Sequence, residues 1–155
     1  MAKIAGAGQA PTPPVVPAVA GATPEEVAEG LALPELDPVA FAVHVLGFLP
    51  WGKQAEIMRA VAEHDRVSVA SGHKIGKSTL AAAIALWFCI TRDQGRVILT
   101  ASVGRQVREI LWREVTRLYN SALFPLGGKL SQTPDRGLRF PDGREIFGFA
   151  TDEAE

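Results

Sequence analysis

Cysteine is nearly absent from this chain: one residue, Cys89, in 155. A single thiol excludes a disulfide framework. Cys89 also lies inside the apolar run Leu80–Ile90, where burial suppresses the thiolate, so it reads as a core thiol rather than a nucleophile. Long hydrophobic runs are missing too. Leu80–Ile90, at eleven residues, is the longest, well short of the roughly 18–20 needed to span a bilayer. It reads instead as a helix buried on all sides, packed against a parallel sheet. No signal peptide is evident, because Met1–Ala22 has one lysine but no continuous apolar core. The expectation is a cytoplasmic protein with no membrane part.

Charge of one sign is also lacking. Sixteen Lys and Arg face seventeen Asp and Glu, a net charge of −1, which argues against a generic DNA-coating protein. The balance is uneven along the chain, however: residues 1–65 carry −5, residues 66–117 carry +6 and residues 118–155 carry −2. The basic middle segment suits a nucleotide or nucleic-acid phosphate.

That segment contains the most informative stretch, Ser71-Gly72-His73-Lys74-Ile75-Gly76-Lys77-Ser78. It lies between a short β-branched run, Val67-Ser68-Val69-Ala70, and the long apolar helix that opens near Lys77. A G-x-x-x-x-G-K-[ST] loop in a strand–loop–helix setting cradles a nucleoside triphosphate. Successive backbone N–H groups line the loop and the following helix presents its positive end, so both favour polyphosphate. Lys77 is expected to reach the β- and γ-phosphates and Ser78 to hold Mg²⁺. Thr79 completes the stretch expected to touch ATP. One position departs from the pattern: Ser71 stands where the first Gly belongs, with Gly72 displaced by one.

The organisation around the loop follows from start and stop signals. Residues 1–22, with Pro11, Pro13, Pro14 and Pro17, read as an extended leader. Thr23-Pro24-Glu25-Glu26 has the form of a helix start, and that helix stops by Pro34. Asp37-Pro38 opens a second helix, to Leu46, with Gly47 as its stop. A third is expected over Lys53–His64, so 23–65 form a helical lead-in. From residue 66 the pattern becomes strand 66–70, loop, helix to about Thr91, strand 97–100 and helix 104–119, the last burying Val107, Ile110, Leu111 and Leu118. Strand–helix–strand–helix spacing predicts a parallel α/β unit. Residues 120–136 are loosely patterned, and 138–149 predict a hairpin turning at Pro141-Asp142-Gly143. The fold class expected is therefore α/β: a P-loop-type parallel sheet flanked by helices, incomplete, with a helical lead-in and a C-terminal hairpin.

Three features bear on mechanism. Trp51 and Gln54 precede the 66–70 run. A glutamine amide offers a donor and an acceptor together, matching the N6/N7 edge of adenine, and the indole could cover the base; equally, Trp51 could anchor the helix start while Gln54 is solvated. His73 and Lys74 add positive charge inside the loop, and Lys74 is the better candidate for contacting the γ-phosphate. Arg105, Glu109, Arg113 and Arg117 recur every four residues. They read first as a solvated face laced by ion pairs, and second as a contact for DNA phosphates or a neighbouring subunit.

The succession Leu46-Gly47-Phe48-Leu49-Pro50-Trp51-Gly52-Lys53-Gln54 and Val67–Ser78 resembles the large terminase subunit of tailed bacteriophages. The resemblance continues through Leu86-Trp87-Phe88, Thr100-Ala101-Ser102, Gln106, Ile110-Leu111-Trp112-Arg113-Glu114 and Arg144–Thr151, and covers about residues 38–155. It implies an ATPase that, in a homo-oligomeric ring on the portal protein and with a small terminase subunit, drives double-stranded viral DNA into procapsids in the host-cell cytoplasm. It also implies roles for Lys77 and Ser78 as phosphate and magnesium ligands and for Gln54 and Trp51 on the adenine side; the family's loop arginine falls at His73, where this chain offers His73-Lys74 instead. Hydrolysis needs an acidic pair. Asp152-Glu153 is the nearest match, but the preceding Phe147–Thr151 is a poor buried strand, so the pair reads as a hairpin tail. The expectation is a chain that stops before its catalytic carboxylates, lacks the family's nuclease domain, binds ATP weakly at best and hydrolyses almost none alone, and aggregates through an exposed sheet edge and apolar faces. A helicase-like translocase and a non-catalytic nucleotide-binding module are the alternatives.

Overall fold

The computed structural model describes residues 36–72, 75–101, 106–131 and 136–150. The leader, the helix expected after Thr23, His73, Lys74, Arg105 and Asp152-Glu153 lie outside them.

Helix α1, Pro38–His44, begins where Asp37-Pro38 predicts. Asp37 Oδ1 accepts from the Val39 and Ala40 N–H groups at 2.9 and 3.3 Å, satisfying two of the donors that a helix start leaves unpaired. Gly47, at φ +64°, turns the chain out of this end. Helix α2, Gly52–Glu63, buries Gln54, Ala55 and Met58. Helix α3, Lys77–Thr91, is the central element. Leu80, Ala82, Ala83, Ala85, Leu86, Trp87, Cys89 and Ile90 are all buried along it, as an apolar surface on nearly every side requires. Its alanines let neighbours approach closely, and the Trp87 Nε1–H donates to the Leu36 carbonyl at 2.8 Å, holding the entry to α1 against it.

Strand β1, Arg96–Ala101, follows α3 through a tight turn. Gly95 is required there, since a Cβ would stand 2.8 Å from the Phe88 carbonyl oxygen. A π-helical segment, Gln106–Leu111, runs into helix α4, Trp112–Asn120. Strands β2 (Lys129–Ser131), β3 (Gly137–Arg139) and β4 (Glu145–Ala150) complete the described elements. The predicted hairpin is present as β3–β4, with Leu138 opposite Ile146.

The four strands form one sheet in the order β1-β4-β3-β2. Only β1–β4 is parallel, in register Arg96–Glu145 through Ala101–Ala150; the other two ladders are antiparallel. The fold is mixed α/β, and the sheet departs from the parallel one expected. The expected strand at 66–70 is not among its strands: residues 62–72 are exposed throughout. A strand is a pairing event, and among the described residues the 66–70 run pairs with no strand; Val67 and Val69 stay about 40% exposed. The short strand β2, in the loosely patterned stretch, was not anticipated.

A second correction concerns the helix expected over 104–119. Val107 and Leu118 are buried as predicted, but Ile110 is exposed and Trp112 and Val115 are buried instead. Hydrogen bonding at i→i+5 in the π segment shifts the angular frame relative to an α-helix, so a burial pattern counted at 3.6 residues per turn misplaces Ile110 and misses Trp112 and Val115, while Leu118 still falls on the buried side. Gly148 makes room for this segment: a Cβ on it would lie 2.6 Å from Val107 Cγ1.

The core joins α1, α2, α3 and α4 to one face of the sheet, through Phe41, Met58, Leu86, Trp112, Leu138 and Ile146. Arg144 ties the hairpin to α3. Its Nη1 donates to the Ile90 carbonyl at 2.8 Å and its Nε to Asp142 Oδ2 at 2.7 Å, while the guanidinium lies 4.5 Å from the Phe140 ring centroid. A cation on a last-turn carbonyl also suits the negative end of the helix.

Candidate functional site

The described loop residues converge on the start of α3. Gly76 caps this helix in the left-handed region, at φ +81°, where a residue bearing a Cβ is strained. As the N-cap, Gly76 has no side chain with which to cap the first turn. The helix start therefore keeps its N–H donors and its positive end for an anion.

Two side chains shape the loop. Gln54, only 6% exposed, donates from Nε2 to the Ile75 carbonyl at 3.3 Å and accepts at Oε1 from the Trp51 N–H at 3.2 Å. The second bond is half of a capping box at the start of α2; the reciprocal half is missing, because an indole offers no acceptor. A Cβ on Gly76 would stand 2.8 Å from Gln54 Nε2, so a larger residue here would have to push the Gln54 amide off its present position. Lys77 folds back across the loop, its Nζ donating to the Ser71 carbonyl at 3.1 Å and to the Gly72 carbonyl. Gly72 has open space where a Cβ would be.

The predicted residues are thus brought together in part. Gln54 meets Ile75 and Gly76, and Lys77 meets Ser71 and Gly72. Ser78 is half-buried in the first turn of α3. Trp51 is 52% exposed beside Gln54 in the chain. The solvated alternative for Gln54 does not hold, since the side chain is buried with both ends of its amide engaged.

Sequence reasoning missed the contact that fixes the other side of the helix start. Thr79 Oγ1 donates to Glu114 Oε2 at 2.8 Å, across 35 residues of chain. Arg117 grips the same oxygen through Nε and Nη2, at 3.2 and 3.0 Å. Burial alone would push the Glu114 carboxyl up; the Thr79 hydroxyl and the Arg117 guanidinium outweigh it and hold the carboxyl below its ordinary 4.5. No local signal marks such a pair, because it depends on how α3 and α4 pack. The Arg/Glu series on this helix resolves accordingly: Arg117 pairs with Glu114 rather than standing free, and Arg113 is exposed.

Cys89 behaves as a core thiol. Burial, the largest influence, pushes its pKa up to about 11, which leaves it protonated and unreactive near neutral pH. Among the described residues no group of three or more His, Cys, Asp or Glu could hold a metal ion, and no helix is long and apolar enough to cross a membrane.

What the site offers is a short anion cradle: a glycine-capped helix start, a flexible lysine above it, and a buried amide and a carboxylate fixing its two sides. Neither protein-family models, nor characterised proteins, nor solved structures give a match to the chain.

Proposed function

We propose that this chain is the ATP-binding part of a viral DNA-packaging motor of the large-terminase type. The observation that carries the nucleotide reading is the start of α3, where Gly76 at φ +81° opens an uncapped first turn beneath Lys77. In this reading the N–H groups of the first turn receive the phosphate oxygens. Lys77 exchanges the Ser71 and Gly72 carbonyls for the β- and γ-phosphates, and the Ser78 hydroxyl takes Mg²⁺. Lys74 adds a second cation to the loop. ATP supplies a transferable phosphoryl group, and the cradle's role is to bind and orient it.

The step from nucleotide binding to DNA packaging rests on the resemblance of the ordered motifs from Leu46 to Thr151. It extends the reading to double-stranded DNA, a portal, a small subunit, a homo-oligomeric ring and the host cytoplasm.

The test is titration of a fluorescent Mg-ATP analogue into the wild-type chain and Lys77→Ala. Lys77 is exposed, so its loss leaves the fold intact. Affinity should fall at least about tenfold, which corresponds to about 1.4 kcal/mol. Equal binding by the two proteins, or none by either, would overturn the nucleotide reading.

A further inference from the structure

The contact between Thr79 and Glu114 fixes one side of the helix start, but a carboxylate is an unexpected group to do so. A carboxylate close to the start of α3 should repel a polyphosphate. It is nevertheless held there by a hydrogen bond of 2.8 Å from the residue that follows the proposed magnesium ligand. Arg117 accounts for the charge: its guanidinium meets the same Oε2 through two donors, so the pair carries no net charge toward the loop. What remains is a directional anchor. The Glu114 side chain is 16% exposed, which strengthens a charge-assisted bond relative to one in open water.

We propose that Glu114, neutralised by Arg117, is a positioning residue that sets the rotation of the first turn of α3 through Thr79 and thereby aims the Ser78 hydroxyl at the nucleotide-bound Mg²⁺; this rests on the nucleotide reading above. Consecutive residues on an α-helix are separated by about 100°. Fixing Thr79 toward α4 therefore fixes the directions in which Ser78 and Lys77 leave the helix. Gln54 holds the loop from the α2 side through Ile75, and Glu114 holds the helix from the α4 side. The cradle is clamped between two elements distant in sequence, which is how a binding constellation is kept in one geometry.

The experiment compares nucleotide affinity with and without Mg²⁺ for the wild type, Thr79→Val, Thr79→Ser and Glu114→Ala, with Lys77→Ala as the control for the site itself. Valine keeps the shape of threonine and removes only the donor, and thermal unfolding verifies each fold. Thr79→Val and Glu114→Ala should lose about tenfold in Mg-ATP affinity and no more than about twofold in EDTA, and Thr79→Ser should return to near the wild-type value. If Glu114→Ala does not fold, Thr79→Val decides alone. Wild-type affinity in Thr79→Val, or equal losses with and without Mg²⁺, would overturn the positioning role while leaving the nucleotide site standing. A wild-type chain that binds no nucleotide, or binds as Lys77→Ala does, would instead overturn the site, and this inference with it.

Discussion

Gln54 separates two uses of one side chain. An adenine reader must present its amide to a base, whereas this amide is buried, with Oε1 on the Trp51 N–H and Nε2 on the Ile75 carbonyl. Its geometry is that of a latch between α2 and the phosphate loop. Removing it would break two part-buried hydrogen bonds, each worth about 0.5–1.5 kcal/mol net. Gln54→Ala should therefore lower the unfolding temperature and weaken ATP and GTP binding by the same factor. Competition titrations with the two nucleotides measure this. A selective loss of ATP would mean that the amide reads adenine and that the latch is secondary. The residue itself was legible, because a polar amide shortly before a phosphate loop stands out in the sequence. Its partner was not, since a backbone carbonyl 21 residues away carries no side-chain signal.

Elements were legible where local chemistry decides them. Asp37-Pro38 starts α1, the unbroken apolar run becomes α3, and Pro141-Asp142-Gly143 turns the β3–β4 hairpin. They were illegible where pairing or packing decides. The Val67–Ala70 run has strand composition but no partner strand among the described residues, and the π segment looks like ordinary helix until Val107 meets Gly148. That contact also accounts for a glycine inside strand β4. Alanine at 148 would put a Cβ 2.6 Å from Val107 Cγ1, and overpacking of this kind costs about 1–3 kcal/mol. Gly148→Ala should lower the urea midpoint accordingly. Adding Val107→Ala should recover part of the loss, because residues in contact couple rather than add. Strict additivity of the two changes would show that the π segment and β4 do not press on each other.

At the scale of the molecule, the helices cover one face of the sheet, and the other face and the two edge strands, β1 and the short β2, are open among the described residues. Strand β1 ends the sheet order with its outer side unpaired. Beside it, a groove of about 390 Å³ runs between β1 and α3, lined by Ala81, Ile84, Ala85, Phe88, Val97 and Leu99. On the uncovered face Ile98 is 55% and Phe149 41% exposed, with Ile98 in register with Phe147 and Thr100 with Phe149. A flat apolar face next to an unpaired edge is a template for self-association, and a net charge of −1 supplies little repulsion between copies. Ile98→Lys places a charge on this face while removing no core contact, so stability should stay within about 0.5 kcal/mol of wild type. The variant should remain monodisperse at concentrations where the wild type grows by light scattering. A wild type that stays monomeric under those conditions, or a variant that grows just as fast, would mean that this surface is already protected in the molecule and that the open edge of β1 does not govern its solution behaviour.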